Sequence, residues 1–264
     1  MSLRSLIESK SRTALQNKSA FYLIAQDRSM FVRDCGVDFQ FQFYDMKLLN
    51  FFSKKSKNNT NKRDPLLPPF CSDLHVCDIG DHHVLINKFM QRICHVVLSS
   101  KDKDAKQGDD LFGSDFVILG KMLEEYEGKG IAYYNAGINS GASQKHKHLQ
   151  FMPNIEGNVL NAMGDNANLP FVYHALKLRN MKPKEIKDAY KELCLMGSFD
   201  KQHNSYNFMI SNNIAAYVPR TRSLSKNHVL INSISMSGIL SIWEWNPPKN
   251  PMSLLSDVTI PKII

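Results

Sequence analysis

Alternating hydrophobic and polar positions predict several short strands along this chain. The alternation is strictest in VDFQFQF at residues 37–43, where every second residue is apolar, as is typical of a half-buried strand. Shorter apolar runs, bounded by polar residues, have the same interpretation. The predicted strands are residues 37–43, 83–87, 95–99, 131–135 and 146–153.

Hydrophobic residues spaced three and four positions apart predict three helices. The first covers residues 3–19. The second begins at Ser114, whose hydroxyl can cap a helix, and runs to about residue 127, just before Gly128. The third begins at Pro183, because proline suits the first helical turn.

A hairpin is predicted over residues 205–211 and 215–219, since Asn212 and Asn213 between them tolerate positive φ. Strands and helices do not alternate strictly, so we expect an α+β fold with a mostly antiparallel sheet flanked by helices. Hydrophobic residues make up 43% of the 264, which is enough for a core and argues against global disorder. No apolar run is long enough to span a membrane or to form a secretory signal.

The cysteine pattern favours a cytoplasmic protein with reduced thiols. There are five cysteines, an odd number, and no CxxC pair. A zinc site is conceivable because His75 lies between Cys71 and Cys77, but this spacing fits no common zinc module. We therefore expect no structural metal.

The net charge of +8 attracts anionic partners, among which nucleic acid, a membrane surface and small polyphosphates are the candidates. Part of the charge is concentrated in the Lys/Asn run at residues 54–63, which predicts a solvated loop. One of its lysines could still reach a phosphate.

The segment NAGINSGASQKHKHLQ at residues 135–150 carries the clearest chemistry. In a strand, His146, His148 and Gln150 point to one face, while Lys147, Leu149 and Phe151 point to the other. Two imidazoles and an amide are costly to bury without a role. The small residues before them let backbone N–H groups approach an anion. A neutral imidazole beside an anion cradle can attack a phosphorus atom, which predicts phosphoryl or nucleotidyl transfer.

Two other interpretations of the paired histidines stay open at this point. Alternate histidines on a strand can ligate a metal ion. They can also be a structural pair that makes hydrogen bonds within the fold.

The same segment resembles a known family. SGASQKHKHLQ at residues 140–150 is similar to the active-site signature of diadenosine tetraphosphate (Ap4A) phosphorylases, also called ATP adenylyltransferases. These enzymes belong to the galactose-1-phosphate uridylyltransferase branch of the histidine-triad superfamily. DPLLPPF, HVLINKF and AAYVPRTR resemble other family segments in the same order. The resemblance implies one histidine-triad-like catalytic domain over residues 1–264, with an active-site core at about 64–153 and a segment at about 170–264 that closes over a nucleotide.

The resemblance also implies roles for individual residues. His148 matches the nucleophile, Gln150 matches the glutamine that holds the phosphate of the intermediate, and His146 assists them. The residues that match nucleotide or phosphate contacts are Lys54 or Lys55, Asn87, Lys88, Asn135, Asn139, Ser140, Gly141, Ala142, Ser143, Gln144, Asn232 and Gly238.

Gln150 discriminates between reactions. Histidine-triad hydrolases have a histidine there, whereas glutamine has no useful pKa and can hold the intermediate without catalysing hydrolysis. We therefore expect phosphorolysis of Ap4A to ATP and ADP, and its reverse, through an adenylyl-histidine intermediate. The expected partners are Ap4A, ATP, ADP and phosphate, with Mg²⁺ or another divalent cation on the nucleotide, and neither nucleic acid nor membrane.

Three other functions are alternatives to Ap4A phosphorolysis. A uridylyltransferase usually has proline between the histidines, where this chain has Lys147. A histidine-triad hydrolase and a non-catalytic nucleotide-binding or RNA-binding protein are the remaining ones, although no RNA-binding aromatic motif is present.

Overall fold

The computed structural model describes residues 1–45, 63–197, 204–243 and 246–262. The helices are α1 Leu3–Gln16, α2 Gly113–Glu125, α3 Asn158–Gly164, α4 Pro183–Gly197, α5 Ser233–Met236 and α6 Pro251–Ser256. The strands are β1 Phe21–Tyr22, β2 Ile24–Asp34, β3 Val37–Tyr44, β4 His75–Ile79, β5 His82–Ile86, β6 Phe89–Met90, β7 Val96–Ser100, β8 Gly130–Ala136, β9 His148–Pro153, β10 His174–Lys177, β11 Tyr206–Ser211, β12 Ile214–Pro219 and β13 Ile239–Ile242.

Eight strands form the main sheet in the order β10-β12-β11-β8-β9-β7-β5-β4. Every neighbouring pair in it is antiparallel. A second sheet joins β13, β3 and β2, and a short parallel pair joins β1 and β6. The predicted α+β fold with a mostly antiparallel sheet is confirmed.

The two faces of the main sheet bury two separate cores. On one face, α1, α2 and α4 contribute residues such as Ile7, Phe116 and Tyr190. On the other face, the three-stranded sheet and α3 contribute residues such as Phe41 and Val159. We call these the helical side and the small-sheet side. Because the strand period is two, consecutive residues of β8 and β9 belong to opposite sides.

The helix predictions are confirmed in position and corrected at their ends. α1 stops at Gln16 rather than residue 19, because Lys18 has a left-handed φ of 56° that cannot continue a helix. α2 does not begin with a Ser114 cap. Instead it starts at Gly113, and the Asp115 carboxylate accepts a hydrogen bond from the Phe112 N–H at 2.9 Å. No helix in the described part of the chain is long and apolar enough to cross a membrane.

The predicted hairpin is confirmed, since β11 and β12 are joined by Asn212 and Asn213 with φ of 49° and 60°. The strand predicted over residues 146–153 starts later, at His148, while His146 makes an isolated bridge with Lys106.

Several strands gave no clear signal in the sequence. β2, with the sequence IAQDRSMFVRD, is rich in polar residues and, among the described strands, pairs with β3 alone at the edge of the small sheet. β10 and β13 are four residues long, which is too short for alternation to be recognised.

Candidate active site

His148 begins β9, near the middle of the main sheet, with only 4% of its surface exposed. Its Nδ1 lies 2.8 Å from the backbone oxygen of His146. Since a carbonyl only accepts, Nδ1 carries the proton and donates it, which leaves the lone pair on Nε2. Burial lowers the pKa of His148 to about 4, and so the imidazole is neutral at physiological pH. This is the state in which an imidazole nitrogen is a nucleophile.

Gln107 holds the backbone of His148 from both sides. Its Oε1 accepts from the His148 N–H at 2.8 Å, and its Nε2 donates to the His148 carbonyl at 3.0 Å. The same Nε2 donates to the Asn135 carbonyl at 2.9 Å. A buried amide that bonds both backbone groups of one residue restricts that residue's position. Gln107 lies in a charged loop, and nothing in the sequence singled it out.

His146 fixes His148 without lining the cleft. Its Nε2 lies 2.8 Å from the Ser100 carbonyl and donates to it, and its own carbonyl receives the His148 Nδ1 proton. The ring is buried against β7, so the side chain has its partner within the fold. This arrangement makes His146 a positioning residue for the nucleophile.

Gln150 is oriented by three donors around its carboxamide oxygen. The Tyr133 hydroxyl donates to Oε1 at 3.1 Å, and the His95 Nε2 lies 3.0 Å from the same atom. Asn87 Nδ2 lies at 3.4 Å. With Oε1 occupied, the Nε2 amide group is the end of Gln150 that can donate to a ligand. His95 and Tyr133 were not among the sequence candidates, although His95 lies in a segment covered by the family resemblance.

The network around Gln150 carries no charge. His95 is buried, and burial lowers its pKa to about 4, so its ring is neutral and Nε2–H can donate. Burial also raises the pKa of Tyr133 far above its ordinary value. The hydroxyl therefore stays a donor at every physiological pH.

His148 and Gln150 open into a cleft of about 190 Å³. Asn87, Lys88, Ser143 and Gln144 line it with polar groups, and the remaining lining residues are Pro65, Leu66, Phe70, Cys71, Leu74, Leu85, Ile86, Phe89 and Val97. The structure thus brings six of the predicted site residues together. An apolar wall facing a few oriented donors is typical of a small-ligand site.

The turn before β9 is held rigidly from behind. The Ser140 carbonyl accepts from Asn207 Nδ2 at 2.9 Å and from Arg220 Nη1 at 3.4 Å. Gly141 has a φ of +83°, and a Cβ there would lie 2.4 Å from the Ile231 carbonyl, so only glycine fits. Asn139 donates its N–H to Ser205 Oγ at 3.1 Å. These contacts shape the turn that carries Ala142, Ser143 and Gln144.

Three predicted binding residues make contacts inside the fold instead of lining the cleft. Asn135 Oδ1 accepts from Asn207 Nδ2, the Ser233 N–H and the Ser233 hydroxyl. Asn232 caps α5 by accepting from the Ser235 N–H at 3.1 Å, and it lies next to Gly141. Gly238, at φ +104°, lets the chain pass close to α3. Their predicted nucleotide contacts stay predictions, as do those of Lys54 and Lys55, which lie outside the described residues.

Lys147 lies behind the nucleophile, on the helical side. Its Nζ is 2.8 Å from Asp115 Oδ2 and 2.7 Å from the Asp110 carbonyl, and it lies over the Phe112 ring at 4.1 Å. The other carboxylate oxygen of Asp115 is 2.9 Å from His82 Nε2. Lys147 is only 1% exposed. The predicted division of Lys147 and His148 between the two faces is therefore confirmed.

A neutral imidazole beside an oriented amide, on a central antiparallel sheet, provides the nucleophile and the donor that nucleotidyl transfer requires. Comparison with known proteins identifies the family. Residues 1–164 match the model of the Ap4A phosphorylase N-terminal domain, and residues 167–261 match that of the ATP adenylyltransferase C-terminal domain. The chain belongs to the Ap4A phosphorylase family and is a nucleotidyltransferase. No curated protein sequence matches it.

Solved structures agree with this assignment at the level of the fold. The chain is similar to the crystal structure of yeast Ap4A phosphorylase Apa2, with 21% identity, a TM-score of 0.82, and coverage of 100% of this chain and 99% of that one. It is also similar to the structure of Apa2 with AMP (21%, TM-score 0.79, coverage 98% and 96%) and to that with Ap4A (20%, TM-score 0.79, coverage 99% and 98%).

Proposed function

We propose that this chain converts Ap4A and phosphate to ATP and ADP, and catalyses the reverse reaction, through an AMP group bonded to Nε2 of His148. The observation that carries the proposal is the fixed tautomer of His148. Its proton is held on Nδ1 by the His146 carbonyl at 2.8 Å, which leaves the lone pair on Nε2, and His148 lines the cleft. The solved structures of Apa2 with AMP and with Ap4A show that a protein of this fold takes these nucleotides.

In the first step, the Nε2 lone pair of His148 attacks one α-phosphorus of Ap4A. A P–N bond forms as the bond from that phosphorus to the bridging oxygen breaks, and the oxygen leaves with its electron pair as ATP. The ring becomes positively charged, and the His146 carbonyl stabilises the Nδ1–H of that cation.

In the second step, an oxygen of inorganic phosphate attacks the same phosphorus, the P–N bond breaks, and ADP leaves. The neutral imidazole is restored with its proton still on Nδ1. Gln150 donates its Nε2–H group to a non-bridging oxygen and cannot serve as a general base. A water molecule therefore finds no side-chain base at this position, while phosphate already carries an anionic oxygen.

The polar residues of the cleft have separable roles in this scheme. Ser143 is exposed on the turn just before β9, where its hydroxyl can donate to the phosphate chain. Lys88 is exposed just after β5 and supplies a positive charge in the lining of the cleft. Asn87 is tied to Gln150 and to the Phe89 N–H, and so it orients the amide more than it binds ligand.

A divalent cation is proposed to arrive with the polyphosphate. Among the described residues that line the cleft, none is an aspartate or glutamate. Because Mg²⁺ prefers oxygen ligands and keeps several waters, phosphate oxygens and water would hold it here, without a carboxylate from the protein.

The domain arrangement and location are further parts of the proposal. One sheet runs through both matched segments, since β8 of the first pairs with β11 of the second, which favours a single catalytic domain over residues 1–264. All five cysteines are free, which favours the cytoplasm, where thiols stay reduced.

The decisive experiment is incubation with Ap4A in the presence and absence of phosphate, with separation of the products. We expect equal amounts of ATP and ADP with phosphate, and at most one ATP per chain without it. Steady formation of AMP in phosphate-free buffer would show a hydrolase and contradict the proposal. Repetition with a diuridine analogue tests the uridylyltransferase alternative, which predicts faster turnover of that substrate.

A further inference from the structure

A cluster of two histidines and one aspartate lies on the β4–β5 hairpin, outside the catalytic residues. His75 Nε2 and His83 Nδ1 each lie 2.8 Å from the same oxygen of Asp78, Oδ1. The three ligand-type atoms all lie within 4.8 Å of one another. No other group of three such side chains converges in this way in the described part of the chain.

The surroundings hold these three side chains in place. Phe70 stacks on the His75 ring with centroids 5.4 Å apart, and its edge meets the His83 ring at 4.8 Å. Lys101 Nζ binds the other carboxylate oxygen of Asp78, Oδ2, at 3.2 Å. Since Oδ2 already has a partner, Oδ1 is the oxygen left to face the two rings. Ion-paired or hydrogen-bonded carboxylates of this kind are common around metal ligands.

The distances between the three ligand atoms suit a small transition-metal ion. Zinc with nitrogen and oxygen ligands at 2.0–2.2 Å needs those atoms about 3.4 Å apart in a tetrahedron. Here two pairs are 2.8 Å apart and none exceeds 4.8 Å, so small side-chain shifts suffice. His75 and Asp78 are 36% and 43% exposed, which gives the ion an entry path and a water as fourth ligand.

The cluster lies on the same face of the sheet as the nucleophile. His83 on β5 pairs with Ser99 on β7, and Ser99 pairs with His148 on β9. Two strand spacings place the Cα atoms of His83 and His148 roughly 10 Å apart. The Leu66 carbonyl accepts from Ser99 Oγ at 2.8 Å, Phe70 contacts the His83 ring, and both Leu66 and Phe70 line the catalytic cleft. An ion on the cluster would thus brace one wall of the cleft.

We propose that His75, Asp78 and His83 bind one Zn²⁺ ion and that this ion stabilises the hairpin and the Phe70 wall of the cleft. The sequence drew attention to Cys71, His75 and Cys77 as conceivable zinc ligands. In the structure only His75 of these three belongs to the cluster. The proposal does not depend on the reaction at His148, and its test does not use turnover.

The test is zinc binding to the purified, untagged chain, measured by competition with a chromogenic chelator and by elemental analysis after desalting. We expect one zinc ion per chain, with at least a tenfold loss of affinity in Asp78→Asn and in His83→Gln. His228→Asn is the matched control, because His228 is exposed and outside the cluster, and asparagine tolerates its φ of 59°. It should bind zinc like the wild type, and so should Cys77→Ser.

A second measurement on the wild type keeps the proposal testable if a variant folds poorly. Cobalt(II) bound in place of zinc should show the visible bands of a tetrahedral site without a thiolate charge-transfer band. The melting temperature should also rise with added zinc. Failure to retain zinc, a thiolate band, or unchanged affinity in folded Asp78→Asn would each overturn the proposal.

Discussion

The two sides of the main sheet are built differently at the point where Lys147 leads into β9. On the small-sheet side, His148 and Gln150 are held by neutral groups, and burial lowers the pKa of His148 to about 4. On the helical side, Lys147 is held by the Asp115 carboxylate, two buried ions 2.8 Å apart. We call the side of His148 and Gln150 the catalytic face and the side of Lys147 the structural face. The groups that hold His148 and Gln150 are uncharged, and the positive charge of the cleft comes from the exposed Lys88, whereas Lys147 on the structural face belongs to a buried ion pair.

The difference shows where a site for an anionic substrate places its buried charged side chains. A buried cation next to His148 would lower its pKa by repelling the proton. The neutral amide of Gln150 can instead donate to a non-bridging oxygen of the substrate. The ion pair joins Lys147 to Asp115 of α2, so the catalytic and the anchoring role fall on the adjacent residues His148 and Lys147.

The largest expected effect comes from removing the nucleophile on the catalytic face. His148→Ala should abolish turnover and prevent trapping of the chain labelled with AMP, since no other group replaces Nε2. His146→Ala, the control two positions earlier, should only reduce labelling, because it removes the ring that bonds the Ser100 carbonyl but keeps the backbone oxygen at position 146. Acid-labile, alkali-stable labelling of the wild type is the readout.

Stereochemistry tests the same mechanism independently. Two inversions at the α-phosphorus give net retention in a substrate made chiral at that atom. Net inversion would show direct attack by phosphate and would refute the covalent intermediate even if all binding residues were right.

On the structural face, breaking the ion pair should cost stability and not chemistry. Asp115→Asn leaves the buried Lys147 ammonium without its counter-ion, for which a loss of about 3–5 kcal/mol of unfolding free energy is expected. Denaturant unfolding measures it. The matched control is Lys177→Met, which breaks the exposed pair with Asp165 at 2.9 Å and should cost no more than about 1 kcal/mol. Equal losses in both variants would remove the distinction between the faces.

As the pH falls, the catalytic face should lose its contribution to the unfolding free energy at a higher pH than the structural face. His95 and His148 have folded pKa values lowered to about 4, so the unfolded chain binds more protons than the folded chain between pH 4 and 6.5. Stability therefore falls as the pH drops through this window, by up to about 3 kcal/mol for each histidine. The Asp115 pKa is lowered below its ordinary 3.8, so its contribution is lost only at more acid pH.

Denaturant unfolding at a series of pH values checks this order. His95→Gln should remove about half of the slope between pH 6.5 and 4. A slope unchanged in that variant would mean that His95 is not held neutral.

The smallest effect is expected from the edge of the cleft. Lys88→Ala should lower kcat/KM by the equivalent of about 1–3 kcal/mol, because one charge-assisted contact to the phosphate chain is lost. Lys187→Ala, an exposed lysine on α4, serves as the control and should behave as the wild type. If Lys88→Ala also retains full activity, Lys88 does not contact the substrate.

The candidate site was recognisable from the sequence only where a local pattern encodes it. SGASQKHKHLQ contains the nucleophile, the amide and the turn within eleven residues, so its family resemblance was informative. Asn135 shows the limit of that approach. It lies beside the motif, yet its carboxamide oxygen accepts three hydrogen bonds from Asn207 and Ser233, which are distant in the chain. Proximity to the motif did not reveal these contacts within the fold.

The sequence by itself determined the class of fold, the family, and the placement of His148 and Gln150 on one side of the sheet and of Lys147, just before β9, on the other. This is because strand period and motif spacing are local properties of the backbone. Only the tertiary structure decided which groups meet those faces. Gln107 reaches His148 across 41 positions, His95 reaches Gln150 across 55, and Asp115 reaches Lys147 across 32. Such partners are set by strand order and loop path, which no local pattern encodes.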